Sequence, residues 1–326
     1  LRAAVAQMNL QELRESILDR IAPFLALLVL GGTLAFTTKN FLSTDNLLNI
    51  SLQTAVIAII AIGETFVIIA AGIDLAVGSV VALSGVVACM AMTHHLAVPL
   101  AVLIGVAMGG FCGLFNGAIT TKFRMPPFIV TLGMMGIGRG GALVLTDGTP
   151  IYDLPESFDW LGKARLAGVP VPALLMVVIA IAASILLKYT RFGRQVYAIG
   201  GNAEAARLSG IPTARSLTLV FMLCGALSGF AGVMHASRIG IGSPTEGQMY
   251  ELDAIAAAVI GGASLFGGEG TVLGTVLGAF LMSILRNGCN LLGLKVYWQQ
   301  VTIGAIIILA VMYDHLRRRK ARTVST

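Results

Sequence analysis

The chain has 326 residues, 56% of them hydrophobic and only 12% charged, with a formal net charge of +6. A water-soluble domain of this size needs far more charge to cover its surface, so the composition excludes an ordinary soluble enzyme and calls for a bilayer as solvent. The basic residues sit at the ends of apolar segments, where the positive-inside rule places them, and therefore do not indicate nucleic-acid binding.

In chain order, residues 7–20 are polar with Leu10, Leu13 and Ile17 at helical spacing, which predicts a short cytoplasmic helix over 1–20 lying on the membrane surface. Apolar segments then predict spans at about 21–37, 50–70, 75–93, 97–120, 127–146, 170–188, 216–236, 252–266, 270–287 and 297–314, inside a transmembrane domain of 21–314. The alternation of a β-barrel is absent, so the expected fold class is an all-α membrane protein with about ten transmembrane helices. Ten crossings return the C-terminus to the side of the N-terminus. Loop charges fit that scheme: the acidic loop 147–169 falls outside, whereas the basic loop 189–215 and the tail 315–326, with Arg317, Arg318, Arg319, Lys320 and Arg322, fall in the cytoplasm. The four cysteines, Cys89, Cys112, Cys224 and Cys289, lack metal spacing and read as small core residues.

Two glycine-rich stretches, 71–79 and 261–270, interrupt the apolar pattern and predict broken helices, which membranes tolerate only where backbone packs in protein or faces a wet cavity. Sliding the chain by 171 residues aligns Leu114 with Leu285, Asn116 with Asn287, Gly117 with Gly288 and Thr131 with Thr302. Segments five crossings apart run in opposite directions, so this register predicts two inverted repeats with a solute route between them.

Polar residues inside apolar segments are costly and mark either structure or function. Glu64 and Asp74 can line a solute route; alternatively Asp74 caps the helix that follows, and Glu64 is neutral and hydrogen-bonded or paired with Arg139. Gln53, Asn116, Thr131 and Asn287 donate and accept hydrogen bonds as a sugar requires, and capping is the competing role for the two asparagines. Together Gln53, Glu64, Asp74, Asn116, Thr131 and Asn287 form the expected substrate path. Glu251 and Asp253 cap the span after them or face a partner outside.

The segment from Tyr197 to Thr213 carries the clearest local design. Asn202 is an N-cap, Glu204 complements the helix dipole, Ala205 and Ala206 favour helix, Gly210 ends it and Pro212 blocks its continuation. The product is a short capped helix with basic flanks, able to enter a partner's groove.

Glu204-Ala205-Ala206 followed by Gly210 resembles the coupling loop of importer permeases. Gly-Ile-Asp-Leu-x-Val-Gly-Ser at 72–79, Tyr-Glu-Leu-Asp-Ala-Ile-Ala at 250–256 and Asn-Gly-x-Asn-Leu-Leu-Gly at 287–293 resemble bacterial sugar permeases of the ribose, xylose and allose type. Ala76 departs from them, standing where the family often has Ser. The resemblance, from about Phe41 to Tyr313, implies an inner-membrane subunit that pairs with a second permease copy, a cytoplasmic ATPase subunit and a periplasmic sugar-binding protein. It implies that Asn202, Glu204, Ala205, Ala206, Arg207 and Gly210 contact the ATPase. No Walker-type glycine loop is present, so the chain is expected to need no cofactor itself, with ATP and Mg on the ATPase. A permease for nucleosides or branched-chain amino acids, or a proton-coupled transporter using Glu64, are the alternatives. An intramembrane enzyme lacks the necessary residue pairs.

Overall fold

The computed structural model describes residues 10–324, with side chains described over 24–312 apart from 296 and 310. The helices are α1 (Leu10–Thr37), α2 (Thr44–Ile69), α3 (Val77–Thr93), α4 (Val98–Phe123), α5 (Pro127–Thr146), α6 (Asp159–Lys163), α7 (Val171–Tyr189), α8 (Arg191–Gly201), α9 (Ala203–Leu208), α10 (Thr213–Ile239), α11 (Tyr250–Ile260), α12 (Val272–Leu291) and α13 (Val296–Val324). The strands among the described residues are β1 (Arg165–Leu166) and β2 (Val169–Pro170), an antiparallel pair turned by Ala167 and Gly168. Among the described residues six helices, α2, α4, α5, α7, α10 and α12, are long and apolar enough to cross a membrane, so this is an all-α membrane protein.

Long helices fall where the hydropathy places spans, but their extents differ. With 11 residues, α11 rises only about 16 Å, half of what hydrocarbon requires. It is shorter than the expected span of 252–266 because Gly261 and Gly262 end it. Helix α1 runs unbroken from Leu10 through the expected surface helix into the first span; residues 1–9 lie outside the described residues. Helix α13 continues as helix through 315–324 of the expected tail.

Helix α2 is the axis of the core. Every residue from Thr54 to Ile69 is buried, as its run of Ile, Val and Ala with no polar face requires. Helix α10 lies against it and against α3 and α4. The α4–α10 contact follows from Gly105, Gly109, Gly113 and Gly117, spaced four apart on one face. A side chain at Gly109 would collide with the Gly225 carbonyl, and one at Gly113 with the Phe221 carbonyl, so the two backbones touch directly.

The packing pairs are mutually related. Helix α4 packs on α10 and α12 on α2; α3 packs on α10 and α11 on α2; α3 and α11 each also pack on the helix that follows, and α5 and α13 pack on them in turn. The first turn of α3 packs against the entry to α11: Gly78 abuts the Gly247 carbonyl just ahead of α11 and the Glu251 carboxylate in its first turn. A compact cap covers the end away from α9: Ile151 bridges to Gly242, the Phe158 ring is fully buried, and Gly162 sits on the backbone of Ser237 and Arg238.

Candidate functional site

Three arrangements bear on function: the α9 tip, the interior acids, and a polar cavity at the end remote from α9.

Helix α9 forms as its sequence dictates. The Asn202 side chain accepts hydrogen bonds from Glu204 N at 3.1 Å and Ala205 N at 2.9 Å. Glu204 and Arg207 make an exposed bidentate pair at 3.0 and 2.6 Å, which fixes one face of the helix. Those hydrogen bonds hold the Glu204 carboxyl below the usual carboxylate range. Gly210 takes φ +81 and Ile211 N donates to Ala206 O, closing the helix, and α10 begins directly after Pro212. Ala206 turns inward and is buried. Leu208 is 74% exposed at the tip, an apolar surface residue that capping logic alone does not reveal. Asn202, Glu204, Ala205, Ala206, Arg207 and Gly210 are thus brought together in one element.

Four of the expected substrate-path residues, Glu64, Asp74, Asn116 and Thr131, converge on the turn at 73–74, whereas Gln53 and Asn287 lie elsewhere. Glu64 is fully buried on α2; its Oε1 accepts from Asp74 N at 3.1 Å, and its Oε2 lies 3.8 Å from Cys224 Sγ. The Asp74 carboxylate accepts from Ala76 N at 2.9 Å, and Asn116 faces it. Asp74 thus turns the chain just ahead of α3, whose N-cap is Ala76. The N-terminal dipole of α3 is positive there, which helps hold an acid in the interior. Thr131 donates to Ile73 O at 3.2 Å and pins the same turn to α5. Arg139 does not reach Glu64. Its Nη1 donates to Pro244 O at 2.8 Å and Glu246 O at 2.6 Å, which holds the segment ahead of α11. Asn287 makes a reciprocal amide pair with Asn46, at 3.0 and 2.7 Å, and ties α12 to α2. In this structure Glu64, Asp74 and Thr131 are hydrogen-bonded at the break ahead of α3, where Asn116 faces Asp74, and Asn287 is bonded between α12 and α2.

Gln53 is different. It lines a cavity of about 260 Å³ formed by the middle of α2, the first turns of α11 and α13, the last turn of α10 and the second half of α12. Most of the wall is polar. Asp253 pairs with Arg286 at 2.6 Å, His235 Nε2 lies 3.0 Å from Glu246 Oε2, and Gln299 donates to Asn290 Oδ1 at 2.7 Å. Tyr250 stands edge-on to His235 with ring centroids 5.9 Å apart. Ser283 Oγ and Arg286 Nε on this wall have no hydrogen-bond partner among the described residues. Asp253 was legible as an acid near a glycine-rich break. Arg286, Ser283 and Gln299 were not, because they belong to helices that converge only in three dimensions. Among the described residues no group of three or more His, Cys, Asp and Glu could hold a metal.

Comparison with known proteins gives a consistent result. Residues 46–311 match the family model described as branched-chain amino acid transport system, permease component. The ribose import permease RbsC of Escherichia coli (strain K12) is 42% identical over 298 residues, covering 90% of this chain and 93% of that protein. RbsC of Bacillus subtilis (strain 168) is 41% identical, covering 92% and 94%. The D-allose transport system permease AlsC of E. coli (strain K12) is 37% identical, covering 91% and 92%. No solved structure matches. With the family model covering most of the chain and relatives of this identity aligned end to end, the chain belongs to the permease-component family of branched-chain amino acid transport systems, as a transport subunit and not an enzyme.

Proposed function

We propose that this chain is the membrane permease of an ATP-driven importer for a ribose-like monosaccharide. The carrying observation is the 42% identity to a ribose import permease over nine-tenths of both chains. The polar cavity supports it, since its wall offers the donors of Gln53, Arg238 and Arg286, the acceptor carboxylate of Asp253 and the aromatic ring of Tyr250, the mixture that a polyhydroxylated guest uses.

In this reading the α9 end faces the cytoplasm, as do both termini, and the cavity opens towards the periplasm. A cytoplasmic ATPase subunit grips α9 and supplies ATP and Mg; a periplasmic binding protein delivers the sugar; a second permease copy completes the solute route between the two. The permease itself spans 21–314 in ten crossings, with α11 completed by its non-helical flanks, between a cytoplasmic helix at 1–20 and a cytoplasmic tail at 315–326. Two inverted halves underlie it. Shifting α2 by 171 residues carries its bounds to 215 and 240, against 213 and 239 for α10. The same shift carries α3 to 248 and 264, against 250 and 260 for α11. Together with the paired packing, this register supports alternating access by rocking of the halves.

The test is reconstitution in liposomes with the ATPase subunit and sugar-binding protein of a ribose-type importer. Ribose uptake and ribose-stimulated ATP turnover, both dependent on a binding protein, are expected. Uptake by the chain alone in ATP-free liposomes would overturn the reading. The family description favours branched-chain amino acids as a second reading, and competition of labelled ribose by leucine in the same assay decides it. For proton coupling, Glu64 would have to reach the solute route, and it is instead engaged by Asp74 N away from the cavity.

A further inference from the structure

The root of α9 is built into both helix breaks at once. Helix α8 passes to α9 through Asn202 alone. At its last turn, Gly200 lies on the Ile69 carbonyl at the end of α2, so closely that any side chain there would overlap that oxygen. The same carbonyl accepts a hydrogen bond from Gly268 N at 2.8 Å. Gly267 lies against Ala71 and the Gly200 carbonyl, where an added Cβ would stand 2.7 Å from Ala71 Cβ and 2.8 Å from Gly200 O. Gly267 and Gly268 take φ +81 and +78, a conformation other residues adopt only with strain. One turn earlier, the Tyr197 hydroxyl donates to Gly270 O at 2.8 Å. At the start of α8, Phe192 stacks on Phe66 of α2, with centroids 6.4 Å apart.

Three backbones therefore meet on one carbonyl: the end of α2 with the break after it, the break between α11 and α12, and the end of α8. The contacts are main chain to main chain. No flexible side chain lies between them to absorb a displacement, and a packed junction transmits strain.

We propose that this junction, with Gly200 and Tyr197 as positioning residues, transmits movement of α9 to both breaks as a single body, so that the two halves of the permease switch together. The inference rests on the reading of α9 as the ATPase contact. It adds that α8, one element removed from that contact, sets how much transport each ATP produces.

The experiment uses the complete importer in liposomes and reads ATPase co-purification, basal ATP turnover and sugar transported per ATP. Gly201→Ala is the control, because its side chain would meet nothing within 4 Å. It is expected to behave as the native protein. Gly200→Ala, one residue away, is expected to retain ATPase binding and lose sugar-stimulated turnover. Tyr197→Phe removes one hydroxyl, and sugar per ATP is expected to fall roughly two- to tenfold, the equivalent of one hydrogen bond, with basal turnover and co-purification unchanged. Should Gly200→Ala fail to assemble, Tyr197→Phe decides alone. Native sugar-to-ATP ratios in Tyr197→Phe and in any assembled Gly200→Ala importer would overturn the junction. Loss of ATPase binding in the native protein would instead overturn the role of α9.

Discussion

At the scale of the residue, Leu208 and Glu204 divide the work at the α9 tip. A leucine this exposed beside a rigid ion pair is the shape of an anchor entering a groove, where buried apolar anchors carry most binding energy. Leu208→Ser is expected to weaken ATPase binding about tenfold, the size of a typical anchor truncation, as read by titration of detergent-solubilised permease with the ATPase. For Glu204 the sign follows from its lowered pKa. The group is charged in both folded and unfolded chains above the usual carboxylate range, so its contribution is fully present at neutral pH. That contribution is lost only as pH falls through the lowered folded value. Glu204→Gln is therefore expected to shift coupling equally across the neutral range, and a neutral-pH titration that disappears in Glu204→Gln would contradict this. In the cavity, Gln53→Leu is expected to raise the KM for sugar about tenfold by removing a hydrogen-bonding group, with basal ATP turnover unchanged.

At the scale of the element, the α4–α10 pair shows how close approach is written in glycine. Gly109→Leu is expected to cost about 1–3 kcal/mol or more by forcing the helices apart, seen as a lowered Tm in detergent. Gly133→Leu on α5 has open space around it and is expected to leave Tm unchanged. Short elements were harder to read than long ones. The cap at Asn202 and the stop at Gly210 were legible because capping is local chemistry. The shortness of α11 was not, because hydropathy continues through Gly261 while the helix stops there. Asn116 and Asn287 look equivalent by register, yet one faces Asp74 and the other pairs with Asn46. A residue's neighbours on other helices, absent from any local window, decide such roles.

At the scale of the whole molecule, the remoteness of the cavity from α9 gives a directional expectation. A cysteine placed at Asp153, in the cap at the cavity end, is expected to react with a membrane-impermeant thiol reagent in right-side-out vesicles, and one at Glu204 only in inverted vesicles. The reverse pattern would overturn the proposed orientation. The native cysteines are buried and leave a quiet background.

The amino-acid sequence by itself determined the membrane environment, the positions of the long helices, the two glycine-rich breaks and the capped α9 helix. Each of these is set by composition or by residues within one or two turns of one another. Only the tertiary structure decided that Arg139 holds the segment ahead of α11 instead of pairing with Glu64, that segments of five helices line a polar cavity, and that both breaks meet α8 on the Ile69 carbonyl. Those contacts join residues tens to hundreds of positions apart, and their geometry exists only once the helices have packed.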